Sequence, residues 1–267
     1  MKKPDDTSWG GVAKWYDTLL EEGADSFQAK VIMPNLLRLL DPKPGLKVID
    51  VACGQGYFSR AFAQNGAQVT ACDISPELIA AAKAHASADT NKKGHQARPA
   101  IDYRVAPADD LGLPAEASFD AATIILALQN IENLYGSLQA VAGVLKPGGR
   151  LLLVLNHPAF RIPQRSSWQW DETTAKQYRR IDAYLSESQA KIDMTPGEAN
   201  SSRKNFTVSF HRPLQVYFKA LVKAGFRVSR LEEWLSHRQS ERGPRQAEED
   251  RMRKEIPMFL FLEAQKD

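Results

Sequence analysis

The chain has 267 residues, 43% hydrophobic and 25% charged, which allows one large globular core with room for an insertion. Basic and acidic residues nearly balance, 35 against 32, so the net charge of +3 permits a nucleic-acid partner without demanding one. No apolar stretch approaches the roughly 20 residues that cross a bilayer, and Met1-Lys2-Lys3-Pro4 has no apolar run behind it.

Only two cysteines occur, Cys53 and Cys72, with neither metal-ligand spacing nor a disulfide framework. The expectation is therefore a reduced cytoplasmic setting, no membrane and no metal. Residues before Leu46, with Trp15-Tyr16-Asp17 and a helix around Lys30 to Leu40, read as an N-terminal cap. Leu46 to Val51 then reads as a buried strand, Tyr57 to Asn65 as a helix closed by Gly66, and Ala67 to Cys72 as a second strand. Ser75-Pro76-Glu77 opens a helix, with a capping hydroxyl and a proline at the first helical position.

Ile101 to Val105 is a third strand, and Phe119 to Leu126, nearly all apolar, a central fourth. A helix from Leu134 to Leu145 stops at Lys146-Pro147-Gly148-Gly149, and Arg150 to Leu155 makes a fifth strand. From His157 to Arg212 the chain is polar and aromatic with no clear strand. Leu214 to Ala224 is a helix, Arg227 to Trp234 a strand, and a charged loop leads to a final strand from Pro257 to Ala264. This alternation predicts an α/β doubly wound, seven-stranded, mostly parallel sheet.

The most informative segment is Asp50-Val51-Ala52-Cys53-Gly54-Gln55-Gly56, where a strand enters a glycine turn that opens a helix. Glycine serves where a ligand must approach the backbone or φ is positive, and the crevice of an open α/β sheet lies beyond the strands' carboxyl ends. Asp73 ends the second strand, where its carboxylate can accept from both hydroxyls of a ribose. The pair points to an adenosine-containing ligand. A nicotinamide dehydrogenase would carry glycine or alanine at the position of Ser59.

With Asp73-Ile74-Ser75, Ser118-Phe119-Asp120 and Leu145-Lys146-Pro147-Gly148-Gly149, the segment resembles the class I S-adenosylmethionine-dependent methyltransferase family. The resemblance covers Leu46 to Leu155 closely and the chain from Leu214 in outline. It implies S-adenosylmethionine as cofactor, S-adenosylhomocysteine as product, and an antiparallel last strand. It implies further that Ala52, Cys53, Gly54 and Gly56 hold the methionine part, Asp73 with Ile74 the ribose, and Asp50 the loop or the amino group. An aromatic of the cap closes over the cofactor in that family, which points to Tyr16. One methyltransferase domain is expected over 1–267: cap 1–45, cofactor half 46–157, lid 158–212, and C-terminal helix and strands 213–267.

Where many relatives have Asp-Ala after the third strand, Pro107-Ala108 stands here, followed by Asp109 and Asp110. Either Asp109 substitutes, or adenine is held by apolar packing and the Ala108 N–H. Leu126-Ala127, with Gln129 and Asn130 behind them, should face the sulfonium, as should Asn156-His157-Pro158. His157 is the candidate general base, since imidazole titrates near neutrality. The insertion's aromatics and arginines, Phe160, Arg161, Arg165, Trp168, Trp170, Tyr178, Arg179, Arg180 and Tyr184, could hold a planar or anionic small molecule, with Trp168 and Tyr178 the candidate wall of its pocket. The expected function is methyl transfer to a small molecule. RNA methylation and non-catalytic binding of the cofactor are the alternatives.

Overall fold

The computed structural model describes Trp9, Gly23 and residues 25–90, 100–114, 117–194 and 206–267. Tyr16, Trp15 and about half of the expected cap lie outside these residues.

Seven strands form one sheet in the order β10-β11-β5-β4-β1-β2-β3: β1 (Lys47–Val51), β2 (Gln68–Asp73), β3 (Asp102–Val105), β4 (Phe119–Ile125), β5 (Leu145–Asn156), β10 (Phe226–Trp234) and β11 (Phe259–Lys266). Neighbours from β3 to β5 pair in parallel, and β11 runs antiparallel to both β5 and β10. The expected mostly parallel sheet with a reversed last strand is what the chain forms.

Side chains that alternate along β1 explain the two layers. Val48 joins a core with Leu36, Leu40, Phe58 and Phe62 from helices α1 (Met33–Leu40) and α2 (Tyr57–Gln64). Ile49 and Val51 point the other way, toward Leu138 and Val141 of α4 (Leu134–Val144) and Tyr217 and Leu221 of α5 (Leu214–Lys223). The third helix, α3 (Pro76–Thr90), starts as the sequence predicts, with the Ser75 hydroxyl accepting from Leu78 N at 3.2 Å. Arg150 closes α1 by donating to the Leu39 and Leu40 carbonyls at 3.0 and 2.9 Å. Asp120 accepts from both Lys146 and the Lys47 N–H, so this pair of motif residues ties β4 to its neighbours.

The insertion departs from expectation. Instead of a strand-free stretch it folds as two antiparallel hairpins, β6 (Ser166–Asp171) with β7 (Lys176–Ile181), and β8 (Ser188–Asp193) with β9 (Phe206–His211). On β9 the usual polarity is reversed: Thr207 and Ser209 are buried while Phe206 faces out. That reversal hides the strand from a search for inward apolar residues. The charged loop before β11 likewise contains helix α6 (Gln246–Glu255), braced by an Arg251–Glu248 ion pair at 2.7 Å.

Candidate functional site

Two adjoining crevices open at the carboxyl ends of the parallel strands. The first spans about 750 Å³ of empty space, open mouth included, and is walled by Asp50, Ala52, Cys53, Gly54, Tyr57, Phe58, Asp73, Ile74, Leu78, Ile125, Leu126, Ala127, Asn130, Ile131 and Trp9. The second, about 1020 Å³, shares Trp9, Leu126 and Asn130 with it and continues under the two hairpins.

The backbone at their junction is bent unusually. Ala52 and Leu126, ending β1 and β4, both hold left-handed conformations, φ +56° and +53°. Such conformations cost an L-residue about 1 kcal/mol or more and cluster at ligand sites. Gly54 and Gly56 adopt φ +57° and +77° without that cost. A Cβ on Gly56 would also press into the buried Tyr103 ring, 3.0 Å from its nearest ring carbons. Gly56 thus serves close packing behind the loop and does not line either crevice. Arg60 pins the loop from α2 by donating to the Gln55 carbonyl at 2.7 Å and its side-chain oxygen at 2.8 Å.

Two carboxylates face the first crevice. Asp73 accepts from the Gly54 and Ser75 N–H groups, both at 2.9 Å, which leaves lone pairs free on each oxygen. Asp50 accepts from the Ser59 and Thr123 hydroxyls at 2.5 and 2.7 Å. Burial pushes the Asp50 carboxyl up to about 6, against those two hydrogen bonds, with the Asp73 charge adding to the rise. Burial raises Asp73 too, opposed by its backbone donors. No lysine, arginine or histidine lines this crevice among the described residues, and the rest of its wall is largely apolar. It suits a ligand that is part cation and part flat apolar ring. Burial raises the Cys53 thiol well above its ordinary value, so it is a wall group and not a nucleophile.

The second crevice has the opposite character. Arg161 and Arg179 line it with the neutral polar groups of Gln129, Asn156, Thr207 and Ser209, and no aspartate or glutamate belongs to its described wall. Arg212, buried at the end of β9, donates to the Ile131 and Glu132 carbonyls at 2.9 and 2.7 Å. It thereby fastens the insertion to the loop after β4 that both crevices share.

Of the residues singled out from sequence, Asp50, Ala52, Cys53, Gly54, Asp73, Ile74, Leu126, Ala127 and Asn130 meet around the first crevice, and Gln129 and Asn130 line the second. Gln129 donates to the Leu126 carbonyl at 2.7 Å, while its own oxygen has no donor. Ala108 and Asp109 line neither crevice; the Asp109 carboxylate is exposed and accepts from Asn133, the cap of α4, at 2.7 Å. The apolar part of the described wall includes Ile74, Leu78 and Ile131.

His157 also departs from its expected place. Its Nδ1 accepts from Ala159 N at 3.2 Å, so Nε2 carries the proton donated to Glu233 at 2.8 Å. Burial lowers its pKa against that partner. The ring lines neither crevice and clamps β5 to β10. Trp168 lies half-exposed beneath the Arg179 guanidinium, 5.1 Å away, on a smaller outer crevice, and Tyr178 points outward. Sequence reasoning passed over Trp9, Ser59, Arg60 and Thr123. Ser59 stood only as a missing glycine, although a hydroxyl in the first turn of the helix that follows a strand's acid is itself a signal.

Residues 49–153 match a family model described as a methyltransferase domain. A ubiquinone biosynthesis O-methyltransferase of Xanthomonas campestris pv. campestris (strain B100) is 40% identical over 110 residues, 41% of this chain and 43% of that protein. The enzyme of the same name from Xanthomonas axonopodis pv. citri (strain 306) is 37% identical over 146 residues, 52% and 55% of the two chains. The matched region thus spans about half the length of these curated relatives. An S-adenosylmethionine-dependent methyltransferase structure from Mesorhizobium loti superposes with a TM-score of 0.65 at 28% identity, covering 87% of this chain and 96% of that one. The glycopeptide N-methyltransferase MtfA, solved with S-adenosyl-L-methionine, shares the fold at 16% identity, TM-score 0.57, over 88% and 93% of the chains.

Proposed function

Since the chain belongs to the S-adenosylmethionine-dependent class I methyltransferases, we propose that it transfers a methyl group to a small molecule held in the second crevice. The observation that carries this reading is the charge of the first crevice, which among the described residues has two carboxylates and no cation. A sulfonium with an α-ammonium suits such a wall, while a dinucleotide's pyrophosphate would find no positive side chain there.

When bound, S-adenosylmethionine supplies a methyl group on a positively charged sulfur. Asp73 would hold the ribose hydroxyls, Asp50 and the Gly54 turn the amino-acid end, and Ile74, Leu78 and Ile131 the adenine. Trp9, Leu126 and Asn130, common to both crevices, would set the acceptor against the donor methyl. Holding two reactants in line can lower the barrier by roughly 7–11 kcal/mol, so positioning alone supports the chemistry. We read residues 158–212 as the acceptor lid within one methyltransferase domain. The curated relatives' name, an O-methyltransferase of a biosynthetic route, supports a small-molecule acceptor.

RNA is a poorer fit. Three basic residues of α6 and its approach are engaged internally, Arg245 with Glu172, Arg251 with Glu248, and Arg253 with Ser240. No helix among the described residues is long and apolar enough to cross a membrane, and the two unpaired thiols suit our reading of a cytoplasmic enzyme. Calorimetry with S-adenosylmethionine and S-adenosylhomocysteine tests the cofactor site. Labelled-methyl transfer to a metabolite extract, compared with total RNA, tests the acceptor. Label entering only RNA, or no binding of either nucleoside, overturns the proposal.

A further inference from the structure

Arg161 is largely buried between the second crevice and the smaller outer one. Its guanidinium lies 5.9 Å from the Phe259 ring centre and makes no hydrogen bond or ion pair among the described residues. The neighbouring Arg179 is already committed, donating Nε to the Phe160 carbonyl and Nη2 to the Ser166 hydroxyl, both at 2.8 Å. Burial and the Arg179 charge both lower the Arg161 pKa, as expected of a cation without an anion. An unpaired buried charge is costly to keep, and a site that retains one is completed by its ligand.

Resting on the methyl-transfer reading, we infer that the acceptor is a small carboxylic acid whose carboxylate pairs with Arg161 while its reacting end reaches toward Leu126 and Asn130. The planar fork of a guanidinium matches a carboxylate through two parallel hydrogen bonds. Arg179 spends Nε and Nη2 on neutral acceptors, so one planar fork is left free, which matches the two oxygens of a carboxylate better than the three of a phosphate ester. The crevice's cavity volume of about 410 Å³ is that of a metabolite site. Its remaining polar wall, Gln129, Asn156, Thr207 and Ser209, is neutral and adds hydrogen bonds without competing for the cation.

The test titrates protein saturated with S-adenosylhomocysteine with three probes: benzoate, phenyl phosphate and the neutral benzamide. Benzoate should bind at least tenfold more tightly than benzamide and more tightly than phenyl phosphate. R161Q should lower benzoate affinity at least tenfold while leaving S-adenosylhomocysteine affinity within about twofold, which also reports that the variant is folded. R253Q, on the outer crevice alone, should leave benzoate binding unchanged. Absent benzoate binding, parity with benzamide, preference for phenyl phosphate, an inert R161Q, or an equal loss in R253Q overturns the inference. Failure of the nucleoside to bind, with benzoate binding intact, would instead sink the methyl-donor reading and leave the anion site standing.

Discussion

The two crevices share Trp9, Leu126 and Asn130, yet they carry opposite charge. The first is built from strand ends and a glycine turn and presents Asp50 and Asp73. The second is roofed by the inserted hairpins and presents Arg161 and Arg179. Charge of opposite sign on either side of one boundary sorts two ligands into their places before any contact is specific. A cationic donor is favoured on one side and an anionic acceptor on the other. The shared loop after β4 is where they would meet.

The largest expected break in this comparison is on the acidic side. Gly56→Ala combines a left-handed backbone with a Cβ driven against the buried Tyr103 ring. It should destabilise the fold by about 2–4 kcal/mol and abolish measurable nucleoside binding. Thermal unfolding and calorimetry on the same sample check it. A variant that binds normally would show that the turn has room the structure denies it.

Asp50 offers a second test, and its sign differs between stability and binding. The folded state holds the Asp50 proton more tightly than the unfolded chain does, with a folded pKa of about 6 against 3.8. This contribution to stability is whole below about pH 4 and is lost as pH rises through about 6. The ionised, buried carboxylate then costs on the order of 3 kcal/mol. Asp50→Asn should recover up to that amount at pH 8 and flatten the stability profile between pH 4 and 6. Binding runs oppositely. Affinity of the wild type for S-adenosylmethionine should fall toward tenfold per unit as pH drops below about 6, while benzoate, held by arginine, keeps its affinity from pH 8 to 5. Parallel pH profiles for the two ligands would erase the contrast between the crevices.

Why one crevice was legible in the sequence and the other was not follows from what lines each. Asp50, Gly54 and Asp73 sit where apolar strands end, and apolar runs mark their own boundaries, so the residues just beyond them can be placed by counting. Ser75 and Pro76 announced α3 in the same way. The second crevice is lined by β9, whose buried Thr207 and Ser209 face an open crevice and not a core. A strand of that kind has no inward apolar face to detect. Nor does a list of arginines say where each points: Arg161 faces a cavity, Arg179 is tied to Phe160 and Ser166, and Arg212 is spent on backbone carbonyls. His157 looked poised at a strand end, but direction is set by Glu233 on β10, which lies 76 residues away.

A smaller effect should touch both sides at once. Arg212→Ala strips the Ile131 and Glu132 carbonyls of their donors. Leaving such acceptors unmet costs about 1–3 kcal/mol. Because the loop they belong to borders both crevices, nucleoside and benzoate affinities should fall together, by several-fold each, with faster amide exchange over residues 127–132. If only one ligand is affected, the loop is not the shared boundary.

The smallest effect concerns Ala52, whose left-handed φ of +56° is held without help from glycine. Ala52→Gly removes a backbone cost of about 1 kcal/mol, yet it also enlarges the freedom of the unfolded chain by a similar amount. Stability should therefore move by less than about 1 kcal/mol in either direction. The informative quantity is binding. Alanine confines the turn between Asp50 and Gly54 to fewer conformations than glycine would, so the crevice is shaped before its ligand arrives. Nucleoside affinity should drop a few-fold in A52G, because the added freedom must be frozen on binding, while benzoate affinity on the arginine side stays the same. Unchanged nucleoside affinity would mean that the hydrogen bonds of Asp73 and Arg60 already hold the turn, and that the strain at Ala52 does nothing for the ligand.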